Sequence, residues 1–552
     1  MKTNIPAREA PALGPLVLSQ PVAAPLKVED PPLDVNEIQG NILAGFSKDH
    51  QMLLFLRIKD ATKFRPWLKQ LIPSIATTAE VLQFNRLFKA LRAKRKVESR
   101  TVLATWINIA FSFSGLERLM PDAHEFKDEA FKQGLAKRSP SLNDPKSGEG
   151  SPDTWVIGGT HNEADGVIIV ASDSATELAE EVMQLENCIF DGINVGGQRL
   201  ASGIELIFKQ RGDTLPDPLR GHEHFGFLDG VSQPGVRGTV VPGDKNSFLT
   251  PRQNPDDDGQ GKPGQDLLWP GEFVFGYPKQ SGKPGADISV SRPEDESTRP
   301  EWAKNGSFLT FRRLRQDVGG FHKFLEETAT QLGIDARRFG AKCVGRWDSG
   351  APILRAQLAD NPQMSRDDCA NNRFEFFKAS PIVKPPGPDQ CVDKFPASPG
   401  DKIGDICPFS GHIRKAYPRD DESGGKKDDP NESDTQTHRL LRRGIPFGDP
   451  FDRTIVPDNG ERGLLFLAYQ TSIVNQFEFV TRAWVNNPDF KDPESGHDPI
   501  LGQSNSANRQ RVFKVRLDGK EHNIKLPKDW VIPTGGGYFF APSISALTKM
   551  AK

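Results

Sequence analysis

The chain has 552 residues, 36% of them hydrophobic and 26% charged, enough for two to four structural units built around substantial cores. Seventy-one Lys and Arg stand against seventy-three Asp and Glu, a formal charge of −2. That balance excludes a nucleic-acid binder driven by a global positive field. No apolar run approaches the ~18 residues of a membrane span, so neither nucleic acid nor membrane is expected as a partner.

In chain order, residues 1–32 come first, their weak hydrophobicity broken by Pro6, Pro11, Pro15 and Pro21. No secretory h-region stands out, so this stretch reads as a mobile extension and the chain is expected to be cytoplasmic. Order is expected from Leu33, where LDVNEIQGNILAGF leads into MLLFLRI (Met52–Ile58), a buried strand. The basic run KALRAKRK (Lys89–Lys96) reads as a solvated helix face. GVIIVAS (Gly166–Ser172) predicts a strand, and Leu178, Val182 and Leu185 at helical spacing predict the helix after it. Ser174 and Glu177 fit a capping box at its start. GIELIFKQ (Gly203–Gln210) returns as a strand, so strands and helices alternate around a β-rich α+β core. From Val241 to about Glu301 the composition turns to Gly, Pro, Asp and Lys around a short apolar piece, GEFVFGYP. Loops of that length are usually functional or mobile. A second core is expected at SFLTFRRLRQD and RGLLFLAYQ (Arg462–Gln470), with an exposed polar insertion at Asp420–Gln436 before the latter.

Five cysteines (Cys188, Cys343, Cys369, Cys391, Cys407) form no CxxC pair for zinc or redox work. They suit free thiols in a reducing compartment and leave room for a few disulfides. The chain carries no GxSxG nucleophile elbow, no HExxH and no P-loop, which removes the usual sequence support for hydrolases and nucleotidases. The sequons at Asn305 and Asn431 matter only if the chain is exported.

Three distant stretches hold the residues suited to chemistry: HEHFGFLDGVSQPG (222–235), CPFSGHIRKAYPR with His412 and Arg414, and HRLLRRGIPFG with Arg442. A haem peroxidase needs a histidine on the iron, a proton acceptor for peroxide, a cation for the charge that develops on O–O cleavage, and basic partners for two propionates. His412, Asp229 and Arg442 could supply the first three, and Arg414, Lys415 and Arg419 cluster near the histidine. By spacing alone, a histidine near arginines is more often a surface hydrogen-bonding residue.

HFGFLDGVSQP resembles the GxxDG signature of the dye-decolorizing peroxidases, CPFSGHIRKAYPR their proximal-histidine segment and RRGIPFG their distal-arginine segment. IQGNILAGF, LWPGEFVFGYP, GSFLTFRRLRQDV, VGRWDSGAP, FEFVTRAWVNNPDF and YFFAPSISAL extend the resemblance, in order, from about Leu33 to Leu547. The resemblance implies two ferredoxin-like α+β domains of the dimeric α+β barrel type, with antiparallel sheets and long loop insertions. The expected units are 33–240, which includes GFLDG, and a haem-binding 241–552. It implies haem b (iron protoporphyrin IX), with hydrogen peroxide and aromatic reducing substrates as partners, and leaves the oligomeric state open.

By the same resemblance Asp229 is the distal acid–base, His412 the axial iron ligand and Arg442 the distal arginine. Arg442 is preferred to Arg443 because the family's arginine precedes the turn proline, here Pro446, by four. Arg414, Leu464 and Phe466 are expected beside the cofactor. Asp498 either accepts the His412 ring N–H or is a turn aspartate. Trp484 either relays electrons or is packed, and Arg346 either faces the haem or is structural. His222, His224 and His438 are assigned structural roles. An aspartate base predicts activity favouring acidic pH. The alternative is a haem or porphyrin protein for iron release or carriage, without efficient turnover.

Overall fold

The computed structural model describes residues 29–95, 103–253, 259–283, 290–380, 391–421, 432–454, 460–506 and 508–552. Most of the N-terminal extension, Lys96 of the basic run, and the middle of the polar insertion with its Asn431 sequon lie outside the described residues. The first half supplies strands β1 (His50–Ile58), β2 (Thr105–Phe111), β3 (Gly166–Ser172) and β4 (Ile204–Asp213). The second supplies β5 (Ser307–Gln316), β6 (Leu441–Arg442), β7 (Ile445–Phe447), β8 (Gly463–Gln470) and β9 (Val531–Ala541). The expected strands are all present, β3 with the bounds expected and the others extended or trimmed by a residue or a few at their ends. Among the helices are α1 (Gly40–Leu43), α2 (Ala61–Leu71), α3 (Ala175–Phe190), α4 (Val318–Leu332), α5 (Ala336–Val344) and α6 (His412–Ala416).

All nine strands join one antiparallel sheet in the order β6-β8-β5-β9-β2-β3-β1-β4, with β7 also on β8. The run β2-β3-β1-β4, with α2 and α3 as its crossovers, is a ferredoxin-like βαββαβ unit. The run β6-β8-β5-β9 repeats that order, so the chain carries two such units. They are stitched by a single strand pairing, Phe540 of β9 opposite Phe111 of β2. The two ends of the sheet also approach: a Cβ on Gly212 of β4 would come within 2.6 Å of Ile445 on β7. A glycine is therefore what lets the barrel close there.

Period-2 alternation explains why both faces are apolar. Leu53 and Phe55 of β1 face the barrel interior, where Phe55 and Phe311 rings lie 5.1 Å apart. Leu54, Leu56 and Ile58 face outward onto Phe64 and Trp67 of α2 and Leu178, Val182 and Leu185 of α3. Helix α3 starts where predicted: the Ser174 hydroxyl accepts the Glu177 N–H at 3.3 Å. In the second unit the later crossover is short, Phe477–Phe479 running into a π-turn through Val485. That leaves the outer face of β5, β8 and β9 open to a cavity rather than covered by a long helix.

The free-thiol expectation holds for Cys188, Cys343 and Cys407 but not for the other two: Cys369 and Cys391 form a disulfide, their Cα atoms 5.5 Å apart. A separation of 22 residues carries no sign of pairing, since the fold decides which thiols meet. Among the described residues no helix is long and apolar enough to cross a membrane.

Candidate active site

The outward-facing Arg312, Leu314 and Gln316 of β5, Leu464 and Phe466 of β8, and Val531 and Pro533 of β9 form the floor of a cavity of about 320 Å³. That is within the usual range for small-molecule and cofactor sites. The loop 223–234, helix α6 and the turn before β6 complete its walls, bringing Asp229, His412 and Arg442 onto one largely apolar space. Leu464 and Phe466 line it as expected, their positions set by strand alternation opposite the barrel-facing Leu465 and Leu467.

Asp229 sits in a loop pinned at several points. Its N–H donates to the Gly221 carbonyl at 3.1 Å, and the Leu228 N–H donates to Asp348 O at 3.0 Å. Gly230, at φ +75°, takes the left-handed backbone that the turn after the carboxylate requires. Asp229 Oδ1 accepts Arg442 Nη1 at 2.9 Å and the Gly230 N–H at 2.6 Å. Burial alone would raise this carboxyl's pKa, but Arg442, the Gly230 N–H and His412 together hold it below the ordinary carboxylate range. Its side chain is 37% accessible, on a residue that lines the cavity.

Glu223 stabilises the same loop. Its carboxylate accepts the N–H groups of Phe225 (2.8 Å) and Phe227 (3.0 Å) and the Gln316 amide. Burial pushes its pKa up to about 7 against those hydrogen bonds, with Asp229 adding to the rise.

His412 opens the five-residue helix α6. Its Nδ1 lies 2.7 Å from Asp498 Oδ2, and Asp498 is wholly buried. Asp498 Oδ1 is fixed in turn by the N–H groups of Ile500 (2.7 Å) and Leu501 (3.0 Å). With Nδ1–H donating to Asp498, Nε2 keeps its lone pair. Burial disfavours the charged imidazole, but the Asp498 carboxylate outweighs it and the pKa is raised. The structure joins the two readings of Asp498: one oxygen faces the His412 ring nitrogen and the other closes the turn that follows.

The adjacent arginines part company as strand neighbours do. Arg442 turns to Asp229 and to the Ser232 carbonyl (Nη2, 3.1 Å). Arg443 turns away to the end of α1, donating to the carbonyls of Asn41 (2.9 Å), Ile42 (2.9 Å) and Leu43 (3.0 Å).

Arg414 corrects an expectation. It does not line the cavity; it is buried between Asp421 (Nη2 to Oδ1, 2.9 Å) and Asp401 (Nη1 to Oδ2, 3.1 Å). Lys415 is likewise turned away, donating to Asn487 O at 2.6 Å and to Phe490 O. The basic groups that do line the cavity are Arg312, Arg346, Arg419, Arg439 and Arg442. Among the described residues Arg346 bonds neutral oxygens, those of Gly350 (2.9 Å), Asn371 (2.7 Å) and Asn372 (2.9 Å). Burial and the neighbouring Arg419 lower its pKa to about 9. Sequence reasoning left Arg346 open and missed Arg439; no local motif distinguishes a cavity arginine from a structural one.

His222, His224 and His438 make protein contacts. His222 stays near the surface beside the Arg220 carbonyl, and buried His224 bonds Phe447 O at 2.9 Å. His438 lines the cavity and stacks on Phe479 at 3.7 Å. Trp484, 2% accessible, is packed edge-on to Phe479 at 5.3 Å and stacked on Phe490 at 5.5 Å.

Two family models match this chain: residues 37–201 match the DyP dimeric alpha+beta barrel domain, and residues 405–496 the Dyp-type peroxidase C-terminal domain. The chain belongs to the dye-decolorizing peroxidase family, whose members are haem enzymes, and it is a peroxidase. Among its relatives are dye-decolorizing peroxidase msp1 of Mycetinis scorodonius, 31% identical over 93% of this chain and 87% of the relative, and AauDyP1 of Auricularia auricula-judae, 32% identical over 96% and 89%. An ancestral D-type dye-decolorizing peroxidase superposes with a TM-score of 0.72 at 35% identity, covering 94% of this chain and 98% of that one. AauDyP complexed with imidazole gives 0.70 at 30% identity, covering 94% and 100%.

Proposed function

We propose that this peroxidase uses haem b, with His412 as axial iron ligand, Asp229 as acid–base and Arg442 as distal cation, and that it oxidises dyes and other aromatic donors with hydrogen peroxide. One observation carries the reading: Asp229, Arg442 and an Asp498-oriented His412 line a single, largely apolar cavity. The relatives' names, dye-decolorizing peroxidases, support the dye substrates.

The cavity suits the group. Among the described residues His412 Nε2 has no partner, and Arg346 is a buried cation whose hydrogen-bond partners are neutral. A propionate is the anion that such a guanidinium would pair with. Held by these residues, haem would supply the redox chemistry of peroxide reduction and one-electron donor oxidation.

The chain's own residues do the rest. Both hydrogen bonds to Asp229 go to Oδ1, and among the described residues none goes to Oδ2. Oδ2 is thus the atom that takes the peroxide proton and returns it to the departing oxygen. Arg442, fixed by Asp229 and Ser232 O, holds a positive charge beside that transfer. Leu464, Phe466 and Phe227 keep the surroundings apolar, which strengthens both effects. We further propose a division at about residue 240, supported by the two ferredoxin-like strand sets on either side of it.

The visible spectrum of the haem-loaded protein, before and after one equivalent of peroxide, tests the assignment. His412→Ala should lose the Soret band of an axially ligated haem, and Asp229→Asn should keep it while reacting slowly with peroxide. A porphyrin carrier would instead show a Soret band that peroxide leaves unchanged in the wild type.

A further inference from the structure

We propose that Gln233 is the positioning residue that sets Asp229 and Arg442 in register, its side-chain amide standing in for the strand that β6 lacks on its outer side. The inference rests on the reading of Asp229 and Arg442 as the distal pair.

Strand β6 is two residues long, with β8 on one side only. Arg442 lies opposite Ala468 of β8, yet its own peptide groups bond elsewhere. Its N–H donates to Gln233 Oε1 at 3.2 Å, and its C=O accepts Gln233 Nε2 at 3.0 Å. Those are the two bonds that a residue exchanges with an antiparallel neighbour. A primary amide is the side chain that offers one donor and one acceptor in that geometry; a carboxylate only accepts.

Gln233 belongs to the same loop as Asp229, so one segment holds Arg442 at both ends. Asp229 Oδ1 and Ser232 O take the guanidinium, and Gln233 takes the main chain. Arg443 Nη1 also reaches the Arg442 carbonyl, at 3.1 Å, but it comes from the α1 side and does not touch the Asp229 loop. Just after Gln233 the chain enters a parallel pairing of Gly235–Val236 with Leu267–Leu268, which gives the amide a rigid base. Without this clamp the guanidinium keeps its charge but loses its fixed distance from the carboxylate.

The groups facing Asp229 are Arg442, His412 across the cavity lining and Glu223 from its own loop, and none of the three is substituted in the Gln233 variants. In the haem-loaded enzyme, Gln233→Met should lower kcat/KM for peroxide on the order of 10²-fold, the scale of a misplacement of about 1 Å. The acid limb of the pH profile should move to higher pH. Asp229 titration, read as the infrared carboxylate difference against Asp229→Asn, should move the same way with or without haem.

Gln233→Glu supplies a second reading that does not depend on tolerance of Met. A protonated glutamic acid again offers a donor and an acceptor, so activity should return towards wild type as pH falls through about 4, the ordinary Glu range. A wild-type acid limb and wild-type Asp229 titration in Gln233→Met, or a Gln233→Glu enzyme with no recovery at low pH, would overturn the clamp. Wild-type turnover in Asp229→Asn would overturn the distal-pair reading instead.

Discussion

Asp229 offers the cavity one engaged oxygen and one open oxygen, and Arg442 both orients the carboxylate and tunes it. Because the pair keeps the carboxyl pKa low, the base form persists into acid, and turnover is expected to hold up there. Arg442→Leu removes the main opposing charge, so the pKa rises and the acid limb of kcat/KM should move to higher pH. Steady-state profiles of the two enzymes check this, and coincident limbs would contradict it. Asp229→Asn should cost about 10²–10⁴-fold in kcat/KM for peroxide, the usual range for a lost general base. Behind His412, the proposed iron ligand, Asp498→Asn should weaken haem retention or activity ~10–100-fold, as losses of such outer partners do; haem transfer to an acceptor protein measures it. Asp229, His412 and Arg442 were legible because their segments carry family signatures. Arg414 was misjudged because closeness in sequence was read as closeness to the site. Two residues along a helix is some 200° around it, so Arg414 faces away from whatever His412 faces.

At the scale of elements, the loop that carries Asp229 also makes the fold sensitive to pH. Burial holds the His224 pKa down at about 4. Between its unfolded value near 6.5 and that figure, the unfolded chain binds a proton that the native chain refuses. Stability therefore falls as pH falls through this window, by about 3 kcal/mol for this residue. Glu223 acts in the opposite sense: its pKa of about 7 means stability is lost as pH rises from its ordinary 4.5 through neutrality. Thermal melts from pH 4 to 8 should show a maximum inside that span, and His224→Asn should flatten the acid side. An unchanged acid slope in His224→Asn would mean other groups dominate. The long strands and α3 were readable from period-2 and period-3.6 patterns. Strands β6 and β7, two and three residues long, were not: RRGIPF holds no periodicity, and only the tertiary pairing with β8 makes it a sheet edge. The role of Gln233 was equally hidden, since an amide that imitates a neighbouring strand leaves no local pattern.

Across the whole molecule, two repeated units close one barrel, and the cavity lies on the outer face of the second. The disulfide Cys369–Cys391 brackets a segment that includes Asn372, the acceptor shared by Arg346 and Arg419 (2.9 and 2.6 Å). Closing a loop of that length stabilises by about 3 kcal/mol in the chain-entropy view. Reduction, or Cys369→Ser with Cys391→Ser, should lower Tm by a few degrees and weaken haem retention. An unchanged Tm would show that the buried Arg355–Asp393 pair already holds the segment.

Arg443 gives helix α1, early in the described chain, a stake in catalysis. Its guanidinium ends helix α1, and a Cβ on Gly45, where φ is +76°, would strike it at 2.7 Å. Anyone shortening this enzyme from its N-terminus would cut no residue of the cavity by deleting through Gly45. The shortened protein would still strip three carbonyl acceptors from Arg443, leaving it only that of Arg442 next door among the described residues. The loss should register as a slower reaction with peroxide as well as in stability, since the buried Ile38 and Ile42 go too.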